Sequence, residues 1–286
     1  MTKNRSARGN PNGQTPGIKH SNSLLHIHII PVFLSVLFLL SLLIYRKLAF
    51  PDIPQGDIAA LDIPNAQEPA DEKLTVKDEA ETSVILKAQM EYQYPELPNG
   101  CEATSLSIAL NILGYPADKQ SIAYDYLPSQ PFTSENGVYY APDPDVMYAG
   151  DPATSLGFYC FEHPVTVAAD QFFYALEAPW TAQTLDTVSG DAIDAALRAG
   201  SPVIVWATID YSDAAQYHSD FRWILSNGET YTPYSNLHCV VVYGFTADIY
   251  YICDPIEGEL EIEKESLLAS MAALDNHAVY FQNTAQ

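Results

Sequence analysis

The segment Gln93-Tyr-Pro-Glu-Leu-Pro-Asn-Gly-Cys-Glu-Ala-Thr-Ser-Leu106 decides how this chain is read, because it sets a cysteine on the border between a Pro/Gly-rich turn and a helical pattern. Leu106, Ala109, Leu110 and Leu113 recur at helical spacing, which predicts a helix from Cys101 to Leu113 with Asn99 as N-cap and Gly114 as C-terminal stop. A cysteine at a helix N-terminus meets unpaired N–H groups and the positive end of the helix dipole. Both favour a thiolate, so Cys101 is expected to titrate well below the ordinary thiol pKa of about 8.5. The turn Pro98-Asn99-Gly100 allows a close backbone approach, with room for a carbonyl beside the sulfur. A small buried residue on the helix's core face would fit the same position, so Cys101 needs partners before it means chemistry.

The partners come from the C-terminal half. Gly190 to Ala199 reads as a second helix ended by Gly200, running into the Val/Ile-rich SPVIVWATI, a buried strand. His238 to Phe245 and Tyr250 to Cys253 read as two further strands joined by a turn at 246–249. A helix followed by a strand-rich half is an α+β pattern. Residues 125–185 are dense in Tyr, Phe, Pro and Asp and show no clear period.

Opposed residues of an antiparallel hairpin lie equally far from its centre, and His238 and Asp254 are each eight positions from residue 246, inside the turn. The sequence therefore predicts that they face each other, the arrangement in which a carboxylate fixes an imidazole tautomer and leaves the other ring nitrogen to take a proton from a thiol. Cys239 and Cys253 share that centre and are expected opposite each other on the other face. As two small buried thiols they are expected free, although a cross-strand bridge is conceivable at Cα separations of about 4.4–6.8 Å. His163, His218 and His277 have no carboxylate on an identifiable adjacent strand and read as surface or core histidines. Trp180, Trp206 and Trp223 read mainly as core. No HExxH, CxxC or spaced His/Asp cluster occurs, and Asp143-Pro-Asp145 lacks the Gly and Glu of a calcium loop, so neither metal nor cofactor is expected.

The N-terminal part faces different surroundings. Lys3, Arg5, Arg8, Lys19, Arg46 and Lys47 precede residue 48 with no acid among them, which leaves seven bases against all 36 acids in the remainder. Such an acidic body is repelled by nucleic acid and by anionic lipid, which excludes a phosphate-binding role. The run 24–45 (LLHIHIIPVFLSVLFLLSLLIY) has no charged side chain. As a helix it reaches about 33 Å at about 1.5 Å per residue, enough to cross a bilayer. It is longer than a signal h-region and is followed by YRKLAFPDIP, with no small-x-small cleavage site, so it is expected to be retained as a signal-anchor. Four bases before it and two after put the N-terminus in the cytoplasm and the body outside. The expected organisation is a cytoplasmic tail at 1–23, a transmembrane helix at 24–45, an acidic Pro-containing linker at 46–84 and one domain at 85–286.

Taken together, the Gln93–Leu106 segment, Asp151-Pro152, Gly157-Phe-Tyr-Cys160, Pro202-Val-Ile-Val-Trp206, His238-Cys-Val-Val-Val-Tyr-Gly244 and Asp254-Pro255 resemble a bacterial papain-fold cysteine peptidase group. It is the branch related to the bacteriocin-leader (double-glycine) peptidases, family thirty-nine of the cysteine peptidases, and the likeness covers roughly residues 85–282. The resemblance implies a papain-like domain with a nucleophile helix packed on an antiparallel sheet. It implies Cys101 as nucleophile, His238 as general base and acid, Asp254 as orienting carboxylate and Gln93 as the oxyanion-hole side chain. It also implies a peptide or protein substrate, met here at the outer membrane face. Leader peptidases proper are fused to a transporter's membrane and ATP-binding domains, and this sequence shows neither a phosphate-cradling loop nor a second membrane helix. The same residues would serve an amidase or acyl-transferase acting on cell-wall peptides. A degenerate peptide-binding domain is the third reading, and the intact Cys/His/Asp set argues against it.

Overall fold

The structure is a computed structural model that describes residues 83–285, so the tail, the apolar run 24–45 and nearly all of the linker lie outside the described residues. Among the described residues no helix is long and apolar enough to cross a membrane. The chain runs through β1 (Val84–Ile85), α1 (Cys101–Ile112), a single helical turn at Lys119–Ser121 that passes into a π-helical stretch at Ile122–Tyr126, β2 (Ser129–Gln130), β3 (Thr133–Glu135), β4 (Val138–Tyr140) and β5 (Tyr148–Ala149). There follow α2 (Glu162–Ala175), β6 (Trp180–Thr184), α3 (Gly190–Arg198), β7 (Val203–Thr208), β8 (Trp223–Ile224), β9 (Thr230–Tyr231), β10 (Leu237–Phe245), β11 (Ile249–Asp254), β12 (Gly258–Glu263), α4 (Lys264–Ala272) and β13 (Ala278–Asn283).

The main sheet has the order β12-β11-β10-β7-β13-β6, with β1 beside the far end of β10 and every pairing antiparallel. β7 is buried along its whole length and β10 at every residue but its first. Such unbroken apolar runs belong to strands covered on both faces. The pleat sends Ile204, Trp206, Cys239 and Val241 into the core formed with α1 and α2. It sends Val203, Val205, Val240 and Val242 into the core formed with α3 and α4. The nucleophile helix of the sequence reading is thus one side of a three-layer, mixed α/β body. A separate small sheet, β3-β4-β8-β9, packs Trp223 among Phe132, Phe158 and Phe221. This accounts for Phe132, Tyr139 and Phe158 in the stretch 125–185, while Tyr148, Tyr159, Phe161, Phe172 and Phe173 belong to the core with α1 and α2.

α2 lies in that stretch as well. Its buried Val165, Ala168, Ala169, Phe172 and Phe173 follow helical spacing. Pro164 sits in the first turn of the helix, where no intrahelical N–H is needed. α3 starts on Ser189, whose Oγ accepts from Ala192 N at 3.3 Å.

The β10–β11 register differs from the expected one. Val241 faces Cys253 and Val242 faces Ile252, and then a bulge between Val242 and Gly244 sets Gly244 opposite Tyr251. Gly244 is also where β1 comes close, since a Cβ there would lie 2.8 Å from Val84 O. His238 and Asp254 are therefore not directly opposed but displaced by two residues. Side chains alternate with period two, so a two-residue displacement keeps both on one face, as diagonal neighbours. Cys253 faces Val241 rather than Cys239, and all four cysteines are free, buried thiols.

Candidate active site

The turn that leads into α1 is held from several directions. Leu97 N donates to Gln93 O and Gly100 N to Leu97 O, both at 2.9 Å, which folds the Pro-rich segment into two successive turns. A Cβ on Gly100 would lie 2.6 Å from Leu97 Cβ, so the close approach anticipated at this glycine is to Leu97. Gly100, not Asn99, caps α1, and no side chain caps it. Asn99 instead donates from Nδ2 to Thr154 O (2.7 Å) and from its backbone to Pro152 O (3.0 Å), tying the turn to the Asp151–Gly157 loop. Tyr148 Oη donates to Asn99 O at 2.6 Å. Lys119 Nζ clamps the segment by bonding Tyr92 O and pairing with Glu96 Oε2 at 2.8 Å. One turn into the helix, Ser105 Oγ donates to Cys239 O at 2.9 Å, which seats α1 on β10.

His238 and Asp254 meet as a buried pair, with Nε2 2.8 Å from Oδ1. Asp254 is saturated. It also accepts from Tyr211 Oη at 2.6 Å, Ile256 N at 2.7 Å and Glu257 N at 3.2 Å. Burial alone would raise its pKa, but the hydrogen bond and charge of His238, with those of Tyr211 and Ile256 N, bring it down to about 2. An ionised carboxylate only accepts, so Nε2 carries the ring proton and Nδ1 is left as the basic nitrogen. The depressed pKa stabilises the fold above about pH 4, and that contribution is lost as pH falls toward 2. Tyr211 was not legible in the sequence: it lies in a turn 43 residues before Asp254, held at φ 56°.

Gln93 is also drawn into the site. Its backbone N donates to Pro255 O at 2.9 Å and its Nε2 to Pro98 O at 2.7 Å, three residues ahead of Cys101. The folded turn therefore brings the amide back toward the start of α1, and its second N–H is not committed to Pro98. Gln93 Oε1 is buried without a hydrogen-bond partner among the described residues.

The thiol departs most from expectation. Cys101 is 7% exposed, and its Sγ–H donates to Glu102 Oε2 at 3.4 Å; among the described residues no hydrogen bond joins it to His238. Burial pushes its pKa well up, the charge and hydrogen bond of Glu102 and the neighbouring Cys239 thiol push the same way, and a contact with the Cys239 backbone opposes them only in part. The expected depression at the helix N-terminus is thus outweighed by burial and by a carboxylate one residue away. Glu102 is fully buried and its other oxygen accepts from Cys160 N at 3.1 Å. Burial raises its pKa from 4.5 to about 7, against the pull of the backbone N–H groups and the thiol. Between these two values the folded protein keeps a proton that the unfolded chain has released, so stability falls as pH rises through that window. The loss from this one group is about 3 kcal/mol. Urea midpoints should show this decline in the native chain, and Glu102→Gln, which has nothing to titrate, should remove it.

Among the described residues the other three histidines are one surface side chain and two packed on aromatic rings. His163 is exposed, and His218 packs on Phe158 and Phe221. His277 has no carboxylate on an adjacent strand, as expected, but it has one on a helix: Glu162, at the start of α2, bonds Nδ1, and the ring stacks on Phe161. Trp206 and Trp223 are fully buried.

A cysteine opening a helix, seated on a strand that carries a carboxylate-bound imidazole in a helix-covered antiparallel sheet, is the framework of a papain-type cysteine-peptidase domain. The chain belongs to the Peptidase_C39 like family, whose model matches residues 82–280. It is 30% identical over 175 residues to the uncharacterized protein YvpB of Bacillus subtilis (strain 168), a match covering 60% of this chain and 63% of YvpB. A crystal structure of a putative C39-like peptidase from Bacillus anthracis superposes with a TM-score of 0.59 at 24% identity, over 70% of this chain and 97% of the other. A double glycine motif protease from an AMS/PCAT transporter, solved with its leader peptide, matches at 14% identity with a TM-score of 0.34, over 69% of this chain and 91% of that one.

Proposed function

We propose that this protein is a membrane-anchored cysteine peptidase that hydrolyses peptide bonds outside the cytoplasm, with Cys101, His238 and Asp254 as its triad. The observation that carries the reading is the buried His238–Asp254 pair at 2.8 Å, whose imidazole lies on the strand against which the Cys101 helix is seated. In the reaction Cys101 Sγ, after leaving Glu102, attacks the substrate carbonyl carbon while its proton passes to His238 Nδ1. The carbonyl oxygen becomes an oxyanion that accepts from Cys101 N–H and the uncommitted N–H of Gln93, a contact worth about 2.7–4 kcal/mol of barrier. As the tetrahedral intermediate collapses, the C–N bond breaks and the imidazolium returns the proton to the leaving amine. Water, deprotonated by His238, then hydrolyses the thioester and restores the thiol. Asp254 keeps Nε2 protonated and stabilises the imidazolium. The full chain in detergent should cleave members of a peptide library, and Cys101→Ala should cleave none; no cleavage by the native chain of any peptide, with a thiol that no peptide electrophile labels, would refute the reading.

The anchoring rests on the uncharged run 24–45 and the basic excess before it. A protease added to intact cells should digest the C-terminal body while a cytoplasmic control survives. A body that stays as protected as the control would overturn the topology.

A further inference from the structure

Glu102 has no step in the reaction above, yet it is the group that the Cys101 proton touches. The inference drawn from it rests on the proposed role of Cys101. The carboxyl spans two elements: Oε2 accepts the thiol proton at 3.4 Å and Oε1 accepts Cys160 N–H at 3.1 Å, so both oxygens are fixed. The titratable groups facing it are Cys101 on α1 itself, Cys160 from the segment before α2, Cys239 from β10 and Tyr148 from β5. Beyond these, Glu162 acts on Cys160, Asp151 on Tyr148 and Asp254 on Cys239, with His277 and His238 bonded to Glu162 and Asp254. Every one of the four inner groups is neutral when protonated, and each becomes an anion on losing its proton. A thiolate formed in the observed position would lie against a carboxylate, with little water to screen the two charges.

We infer that Glu102 is a latch on the nucleophile, a positioning residue whose ionised carboxylate holds Cys101 protonated and engaged, so that the thiolate forms only once Sγ has left it. Rotation about χ1 is the one internal motion by which the sulfur can leave, and that motion frees it for His238. The resting protein is therefore latent.

The latch can be read from the alkylation rate of Cys101, followed by mass spectrometry of its peptide over about pH 5–10. The native full-length chain and Glu102→Gln are compared, with Glu102→Asp as a second variant that keeps the charge but draws it back from the sulfur. In the native chain the first proton is lost by the Cys101–Glu102 pair as a unit, so the rate should level off above about pH 7 and stay low. The Glu102→Gln protein has no charge at this position to oppose the thiolate. Its titration should move down by a unit or more, so that Cys101 reacts at least tenfold faster than in the native chain at about pH 8; Glu102→Asp should fall between. An equal or slower rate in Glu102→Gln across the range would overturn the latch, since Glu102 would then be either structural or itself the acceptor that activates the thiol. Labelling needs no turnover, so failure of the latch and failure of the peptidase reading give different results: the first leaves the two curves superimposed while the native chain still cleaves peptide, and the second leaves the native chain cleaving none.

Discussion

Replacing Cys101 with Ala should bring hydrolysis to the uncatalysed background, His238→Ala should leave about a thousandth to a ten-thousandth of the native rate, and Asp254→Asn should leave about a hundredth. The order follows from what each group does to the proton. Without the sulfur no acyl-enzyme can form. Without His238 the thiol has no base and the leaving amine has no acid, so two proton transfers are lost. In Asp254→Asn the amide oxygen can still accept from Nε2, which preserves the tautomer, but the amide brings no negative charge to an imidazolium that is buried beside it. The same amide also meets Tyr211 Oη at a site built for an acceptor, which slackens the ring. Turnover measured on the three variants, each checked for native unfolding, tests the assignment; an Asp254 variant slower than the His238 variant would show the roles to be wrong.

Trp206→Ala should cost about 3–5 kcal/mol of stability. The indole is fully buried in β7, under the layer formed by α1 and α2, and its Nε1 donates to Cys160 O at 2.8 Å. Truncation leaves a cavity lined by rigid neighbours and a buried carbonyl without a donor, two penalties that act together. Cys160 is also the residue whose N–H holds Glu102, so the loss of the indole loosens the surroundings of Cys101 from behind. Trp206→Phe keeps much of the volume and should cost distinctly less while still unpairing the carbonyl. Urea unfolding of both variants separates the cavity from the hydrogen bond, and an unchanged midpoint for Trp206→Ala would contradict the packing described here.

Period-two alternation explains why the His238–Asp254 pair could be found in the sequence even though its register could not. The bulge between Val242 and Gly244 shifts the pairing away from the symmetric hairpin, but a displacement of two residues leaves both side chains on one face. A displacement of one would have parted them. α1 was legible because its apolar positions repeat at helical spacing, whereas α2, with an equally regular face, was hidden by Pro164 and by the aromatic stretch around it. Phe132, Tyr139 and Phe158 of that stretch serve a small sheet of short strands, too short to show a period of their own.

Glu102 was passed over for a different reason. An acid in the first turn of a helix ordinarily complements the dipole from the solvent side, and nothing local says otherwise. The signal that was present is that Glu102 is the only charged residue between Cys101 and Leu110, in a helix that proves to be buried along all ten of those positions. What the sequence could not show is that residues near Cys160 cover this face of α1, which turns a surface acid into a buried one and reverses the expected direction of the thiol's pKa. Tyr211 was invisible on similar grounds, since a turn residue that caps a carboxylate 43 positions away carries no periodic mark.

The most direct measurement is the site of covalent capture. A peptide bearing an acyloxymethyl ketone, incubated with the full-length protein and followed by mass spectrometry, should form one thioether, on Cys101, and its rate of formation should collapse in His238→Ala. Cys160, Cys239 and Cys253, which have no exposed surface where Cys101 keeps 7%, and none of which opens a helix, should remain unmodified. Capture on any of those three, or undiminished capture in the Cys101→Ala protein, would contradict the assignment of Cys101 as the nucleophile.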